Sequence, residues 1–227
     1  METNSWNILF DYAMQQVKNS ALPSNTWEFG GGTVLMQKYN HRISKDIDIF
    51  FSDPQCLTCL SPRVNDALED KIINYIEQYN YIKLYLDHGE IDFILAKQVS
   101  NLPPKKENIR GICINVEHPV EIIAKKIEYR SDEFKTRDVF DLAMVYSKLK
   151  LTLLKNVNID AQKYEILNRR ITELHKSGTL DSELINIRTL PGAEHIRGKE
   201  YSLCSSFLSE MEKFIDRNHQ KQKGLGR

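Results

Sequence analysis

The first 118 residues alternate between helix-like and strand-like patterns of apolar side chains. Over Ser5–Asn19 the apolar residues recur every three or four positions, which predicts an amphipathic helix. Asp46–Phe51 alternates acidic with apolar residues, which predicts a strand whose two acids share one face. Tyr81–Leu86 and Glu90–Leu95 flank the turn sequence Asp87-His88-Gly89 and predict a β-hairpin. This region therefore mixes helices with strands joined by hairpins.

The remaining segments of this region carry weaker signals. We expect a helix over Val64–Tyr79, because Leu68, Ile72, Ile73 and Ile76 fall on one helical stripe. The run Gly30–Gly32 forces a turn that only glycine adopts easily. Shorter segments are predicted as a strand at Thr26–Phe29, a helix at Thr33–Tyr39, a loop at Asn101–Asn108 and a strand at Gly111–Val116.

After Pro119 the pattern becomes helical. A proline suits the first turn of a helix, and an apolar stripe from Cys204 to Ile215 is expected to be core or a partner contact. We therefore predict an α+β fold, in which residues 1–118 form a mixed sheet with helices and residues 119–227 form a helical region. The predicted helices are Val120–Arg130, Thr136–Lys148, Ala161–Lys176, Ser182–Ile187 and Tyr201–Asn218.

Composition narrows the class of protein. The 227 residues include 31 basic and 31 acidic side chains, so a formal net charge of zero gives no bulk attraction to nucleic acid. The sequence has no apolar run of membrane-spanning length, and its first residues lack the pattern of a secretory signal. Cys56 and Cys59 form a C-x-x-C without a second pair, so we expect an incidental pair in a reducing, cytoplasmic protein.

Asp46 and Asp48 are the first candidates for chemistry. They lie two residues apart on a predicted strand, so their carboxylates point the same way. The carboxylates repel each other unless a cation lies between them. Mg²⁺, or Mn²⁺ in its place, binds carboxylates together with substrate phosphates, and two such ions can clamp a phosphoryl displacement. Asp92 can complete a triad of metal ligands if Glu90–Leu95 pairs beside the first strand.

A glycine turn precedes the acid pair. Gly31, Gly32 and Thr33 lead into a predicted helix, where backbone N–H groups and the helix dipole bind phosphate. The Thr33 hydroxyl can add a hydrogen bond, and Arg42 places a cation that can contact phosphate or hold a carboxylate. Farther along the chain, Lys126 and Arg130 share one predicted helix face and also suit a triphosphate.

Together these segments resemble the nucleotidyltransferase superfamily, and more narrowly the AbiEii/AbiGii toxin family. Phe29–Thr33 and His41–Phe50 are similar to its G-G-T and R-x-S-x-D-[IL]-D-[LF] signature, with three glycines in place of two. Glu121–Arg130 is similar to its E-x-[IL]-A-x-K motif, and Lys135–Asp141 is similar to its R-D-x-x-D motif. The similarity runs from about residue 27 to residue 146 in the family's order.

The resemblance implies an NTP-dependent nucleotidyltransferase with a polymerase-beta-like core, whose active-site cleft the helical domain completes. It implies metal binding by Asp46 and Asp48, with Asp92 as third ligand by analogy with the superfamily. It also implies phosphate contact at Gly32 and Thr33, triphosphate contact at Lys126, and a catalytic or positioning role for Asp138. The implied acceptor is RNA of the tRNA kind, and the implied setting is a toxin–antitoxin or phage-defence system with an antitoxin partner.

Two other functions fit the same residues. One is a nucleotidyltransferase that modifies a small molecule of the antibiotic kind, with the acceptor pocket in the helical region. The other is a non-catalytic module that keeps the fold and binds a nucleotide or a partner. The crowded pair Asp46/Asp48 favours an enzyme, because a module without catalysis has no need for two adjacent acids.

Individual residues also have plain structural interpretations. Asp92 is then an exposed charge on an edge strand, and Lys126 is a surface lysine. Asp138 is then an acid that favours a helix start or pairs with Arg137. His41 and His88 lie in predicted loops, so we expect both at the surface rather than in catalysis.

Overall fold

The protein consists of two compact units in a computed structural model that describes residues 5–224. The first unit comprises residues 5–98 and 103–118, and the second comprises residues 99–102 and 119–224. Each unit has its own buried apolar core. The chain thus enters the second unit briefly at residues 99–102 before the first unit is complete.

The first unit is built on one seven-stranded sheet. Its strands lie in the order β3-β4-β5-β2-β1-β7-β6, with parallel pairing between β2 and β5 and between β1 and β7. The other neighbouring strands pair antiparallel. Its elements are α1 (Ser5–Asn19), β1 (Trp27–Gly30), α2 (Gly31–Tyr39), β2 (Ile47–Phe51), α3 (Gln55–Thr58), β3 (Asn74–Gln78), β4 (Tyr81–Leu86), β5 (Gly89–Leu95), β6 (Lys105–Ile109) and β7 (Ile112–Val116).

The centre of this sheet follows the predicted alternation. Ile47 and Ile49 of β2 are fully buried, as are Ile91 and Phe93 of β5, so the residues between them point to the opposite face. Helix α1 packs against β2 and β5, and the Phe10 ring lies 5.3 Å from the Phe29 ring of β1, centroid to centroid. The core on one face of the sheet therefore fixes which side chains stand on the other.

Two predictions for the first unit were wrong. Val64–Tyr79 is not a helix, because its last part forms β3, which pairs antiparallel with β4. The β-branched residues there suit a strand as well as a helical stripe, and Ile73 is 66% exposed rather than buried. The predicted loop Asn101–Asn108 instead contributes Lys105 onward to the edge strand β6, where exposed lysines are common.

The second unit is helical, as predicted. Ala161–Lys176 forms a helix with the predicted bounds, while the helix from Thr136 continues to Asn156 through a kink at Leu149. The predicted Ser182–Ile187 helix begins earlier, at Thr179. Gly178 occupies its N-cap position with a positive φ. The helices are α4 (Pro119–Arg130), α5 (Thr136–Asn156), α6 (Ala161–Lys176), α7 (Thr179–Leu184) and α8 (Glu200–Gly224), with a 3₁₀ turn at Pro191–Ala193.

The core of the second unit lies where α5, α6 and α8 meet. Phe140, Ile171 and Phe207 are buried there, and the Cys204 thiol donates a hydrogen bond to the Val139 carbonyl at 3.4 Å. The Cys204–Met211 part of the predicted apolar stripe is thus core. All four cysteines are free, and none of the helices within residues 5–224 is long and apolar enough to cross a membrane.

Candidate functional site

Three acidic residues lie near one another at β2 and β5. Asp48 of β2 lies directly beside Asp92 of β5 in the parallel register. Asp46 precedes β2, and its Oδ1 accepts a hydrogen bond from the Glu90 backbone N–H at 3.2 Å. The structure thus brings together the three acids predicted as metal ligands, and Asp92 stands on an interior strand rather than on an edge.

Lys83 of β4 is the cation of this cluster. It lies directly opposite Asp92 in the antiparallel pairing of β4 and β5, and its Nζ donates to Asp92 Oδ2 at 2.7 Å and to Glu90. Burial disfavours the charged ammonium, but the hydrogen bonds to Asp92 and Glu90 outweigh it and raise the pKa of Lys83. The charge of Lys83 is therefore fixed between two carboxylates.

Only one oxygen of Asp92 is satisfied by this contact. Asp92 Oδ1 is buried and has no hydrogen-bond partner among the residues that the structure describes. Burial raises the pKa of Asp92, and the nearby Glu90 and Asp46 add to the rise despite the opposing effect of Lys83. A buried carboxylate oxygen without a donor is a group that a cation would stabilise.

The donor set therefore fits a hard divalent cation in its chemistry. Carboxylates from Asp46 and Asp48 are the ligands that Mg²⁺ and Mn²⁺ prefer, and Asp92 Oδ1 adds an oxygen without a partner. In the described part of the chain, however, no three such side chains converge closely enough to form a ready-made metal cluster. Lys83 also holds Asp92 in an ion pair, and the metal ligand set stays a prediction.

The glycine turn lies against the acid strand. Gly31 has a φ of +70°, and a Cβ on it would stand 1.8 Å from Asp48 Oδ2. A Cβ on Gly30 would collide with Glu117 and Phe50, and one on Gly32 with Arg42. Gly31 is the position that most requires glycine, because a Cβ there meets Asp48 at a positive φ, and it is where strand β1 turns into helix α2.

Helix α2 begins without a side-chain cap. Gly30 occupies the N-cap position and, having no side chain, caps no N–H group of the first turn. Those N–H groups and the helix dipole form the kind of end that attracts phosphate. The turn predicted from Gly31 and Gly32 is therefore present with its donors at the helix start, beside Asp48.

Thr33 and Arg42 brace this turn. Thr33 is fully buried, and its hydroxyl donates to the Asp46 carbonyl oxygen at 2.6 Å. Arg42 is also buried, and its guanidinium lies over Gly32 and donates to the Ile43 carbonyl oxygen. These contacts join the glycine turn to the acid strand, and phosphate contact by either side chain stays a prediction.

A second charged cluster lies inside the helical unit. Lys126 of α4 donates to Asp138 Oδ1 at 2.8 Å and to Asp141, both on α5. Arg130, one turn after Lys126, donates to the same Asp138 oxygen at 2.7 Å. The other oxygen of Asp138 accepts the Lys135 backbone N–H and so satisfies a donor at the start of α5.

Burial separates the members of this cluster. Asp138 and Asp141 are inaccessible to solvent and Lys126 is nearly so, whereas a third of the Arg130 side chain is exposed. Burial opposes ionisation of Asp138, but Lys126 and Arg130 hold its pKa below the ordinary 3.8. Lys126 is thus not a surface lysine, and Asp138 is the organiser of the cluster, while their roles toward a nucleotide stay predictions.

Four polar residues lie outside the predicted set of site residues. Lys83 was detectable by counting back from the hairpin turn, which places it opposite Asp92. Asp141 lies in the R-D-x-x-D segment and was visible there as a second acid. His41, expected at the surface, is fully buried behind α2, whereas His88 is exposed in the hairpin turn as predicted.

Comparisons with known proteins bear on the family and the fold of the chain. The family model of the nucleotidyl transferase AbiEii toxin of type IV toxin–antitoxin systems matches residues 14–204, more than four-fifths of the chain. A search of curated proteins by sequence gave no match.

Solved structures share the fold at low identity. JHP933 from Helicobacter pylori is 13% identical with a TM-score of 0.52, over 98% of both chains. A putative nucleotidyltransferase from H. pylori is 12% identical with a TM-score of 0.53, over 96% of this chain and 97% of that one. The predicted α+β nucleotidyltransferase fold is confirmed.

Replacing Gly31 should disturb the acid strand directly. In Gly31→Ala the added Cβ must displace Asp48 at a positive φ, so we expect about 1–3 kcal/mol greater loss of unfolding free energy than in Gly111→Ala. Gly111 is the matched control, because its φ is +86° but no atom lies within 4 Å of the added Cβ. Equal losses in chemical denaturation of the two variants would contradict the contact with Asp48.

The buried cluster should tolerate no loss of its central cation. Lys126→Met leaves Asp138 and Asp141 buried without their shared partner, so we expect a loss of about 3–5 kcal/mol in unfolding free energy. Lys150→Met removes an exposed ion pair with Glu210 and should unfold nearly as the wild type does. Similar denaturation curves for the two variants would show that the cluster is not essential to stability.

The depressed pKa of Asp138 predicts a specific acid dependence. The ionised form stabilises the fold fully above the ordinary pKa of 3.8, and that contribution is lost as pH falls through the lower pKa of the folded state. The difference in unfolding free energy between the wild type and Asp138→Asn should therefore shrink below about pH 4. Denaturation at pH 7, 5, 4 and 3 measures it, and a constant difference would exclude ionised Asp138 as its source.

Proposed function

The chain belongs to the AbiEii family of nucleotidyl transferase toxins of type IV toxin–antitoxin systems, and we propose that it transfers a nucleoside monophosphate from an NTP to an RNA hydroxyl. The observation that carries the proposal is the contact of the Gly31 turn with the acid strand, which sets phosphate donors beside Asp48. Phosphoryl transfer needs phosphate binding and charge stabilisation at the same place.

The proposed metal ligands are Asp46 and Asp48, with Asp92 Oδ1 as the third oxygen. Mg²⁺ or Mn²⁺ bound there would supply charge stabilisation to the phosphoryl group. Asp46 and Asp48 hold their places through the Glu90 N–H and the β2 register. The protein's own contribution is thus the positioning of carboxylates before the nucleotide binds.

Phosphates of the NTP are proposed to bind at the start of α2. The uncapped N–H groups after Gly30 are donors for them, and Arg42 above Gly32 adds positive charge. Lys126, Arg130 and Asp138 are proposed for nucleotide binding and positioning on the strength of the family resemblance. Arg130 Nε supports its part, because this buried donor has no acceptor among the described residues.

The acceptor and the biological setting are proposed at a coarser level. RNA, and tRNA in particular, is the acceptor that the family resemblance favours, and an antitoxin protein in the cytoplasm is the partner that a type IV toxin family suggests. Bulk charge contributes nothing to RNA binding, since the formal net charge is zero. Local contacts must therefore select the acceptor.

Removal of the acid pair tests the proposed chemistry. The protein is incubated with each labelled NTP, total RNA and Mg²⁺ or Mn²⁺, and label on RNA is quantified. Asp46→Asn combined with Asp48→Asn should reduce transfer at least about 100-fold, because charge stabilisation at the phosphoryl group is lost. Asp70→Asn removes an exposed acid of the same unit and should transfer like the wild type.

Two outcomes would contradict the proposal. Transfer by the double variant at the wild-type rate, with both proteins folded by their thermal transitions, excludes Asp46 and Asp48 as the metal ligands. Transfer of label to small molecules but to no RNA favours the antibiotic-modifying alternative. Screening both acceptor classes in parallel with the same labelled NTPs separates these cases.

A further inference from the structure

We propose that Lys83 is a resident counter-cation of the acid site, which holds Asp92 in place and competes with a divalent metal ion for it. The inference rests on the metal site of the proposed function and extends it to the order of binding. With Lys83 in place, the site binds a free divalent ion weakly and fills when the ion arrives with a triphosphate. Lys83 thereby selects the metal–nucleotide complex over the metal alone.

The first support is the register of the hairpin. Lys83 and Asp92 are a directly opposed cross-strand pair of β4 and β5, on the face that also carries Asp48. Cross-strand pairs of opposite charge stabilise each other, and the strands fix both backbones. The pairing of β4 with β5 therefore places the Lys83 ammonium in the acid site.

The second support is the way in which Lys83 binds. Its Nζ donates a hydrogen bond to Oδ2 of Asp92 at 2.7 Å, and it donates another to Glu90. Asp92 Oδ1 is left buried and without a donor among the described residues. One oxygen of Asp92 is thus bound to the Lys83 ammonium. The other oxygen is held in a fixed orientation and is free to bind a second cation.

The third support is the balance of charge. Glu90 and Asp92 both bind Lys83, Asp46 accepts from the Glu90 backbone N–H, and Asp48 is the strand neighbour of Asp92. Lysine is a compact charge on a flexible stem, so it can yield to a stronger cation where a planar arginine would not. A divalent ion must overcome repulsion from the ammonium, and the negative charge of a triphosphate offsets that repulsion.

Binding of Mn²⁺ to the whole protein without nucleotide tests the proposal. Lys83→Met and Lys83→Gln remove the charge, and Gln keeps a hydrogen-bond donor if Met fails to fold. Either variant should bind Mn²⁺ at least about tenfold more tightly than the wild type, by calorimetry or by the spin-resonance signal of free Mn²⁺. Lys83→Arg keeps the charge and should bind Mn²⁺ no more tightly than the wild type.

A matched control and a second readout sharpen the test. Lys38→Met removes another ion-paired lysine of the same unit, bound to Glu107, and should leave Mn²⁺ affinity unchanged. Mn²⁺ should raise the melting temperature of Lys83→Met or Lys83→Gln more than that of the wild type, because the ion replaces the missing charge. Addition of a non-hydrolysable NTP analogue should narrow the difference in affinity.

The outcomes distinguish this proposal from the proposed function. Mn²⁺ affinities within twofold for the wild type and both neutral variants, or no binding by any of them, overturn the role of Lys83. Normal nucleotide transfer by the wild type together with that result leaves the proposed function standing. Tighter Mn²⁺ binding by the neutral variants without transfer to any acceptor supports Lys83 and refutes the proposed function.

Discussion

Repulsion between like charges at the junction of β2 and β5 is the constraint on which the first unit depends. The apolar residues Ile49 and Phe93 must face the core, and the parallel register then sets Asp48 beside Asp92. Burial of apolar surface stabilises the sheet more than separation of two carboxylates would. The acid site is thus a consequence of core packing, and the other polar residues of this face offset the repulsion between its carboxylates.

In each unit, a lysine between two acids offsets the repulsion between like charges. In the sheet, Lys83 lies between Glu90 and Asp92; in the helical unit, Lys126 lies between Asp138 and Asp141. The two clusters differ in burial: the Lys83 side chain is 22% exposed, whereas the Asp138 and Asp141 side chains that bind Lys126 are fully buried. The enclosed acids hold α4 and α5 together, with Arg130 as the exposed member of their cluster, while the half-buried Lys83 remains open to displacement by another cation.

The sequence was informative where a local pattern has one structural meaning. The alternation around Asp48 and the turn after Leu86 each admit a single element, and both predictions were confirmed. The apolar residues of Val64–Tyr79 fit a helical stripe and a strand equally well, and the pairing with β4, a long-range contact, decided between them. Contacts of Lys126 and Thr33 depend on partners elsewhere in the chain, so spacing alone could name these residues but not what they touch.

The position of Lys83 within the hairpin has a consequence for the order of folding. Lys83 and Asp92 are only nine residues apart, whereas the contact between Asp46 and Glu90 spans 44 residues. Short loops close at lower entropic cost, and hairpins form within about 1–10 μs. We therefore expect the nascent β4–β5 hairpin to neutralise Asp92 before β2 docks against it, so that the barrier to assembling the sheet does not include bringing together a full set of unscreened negative charges.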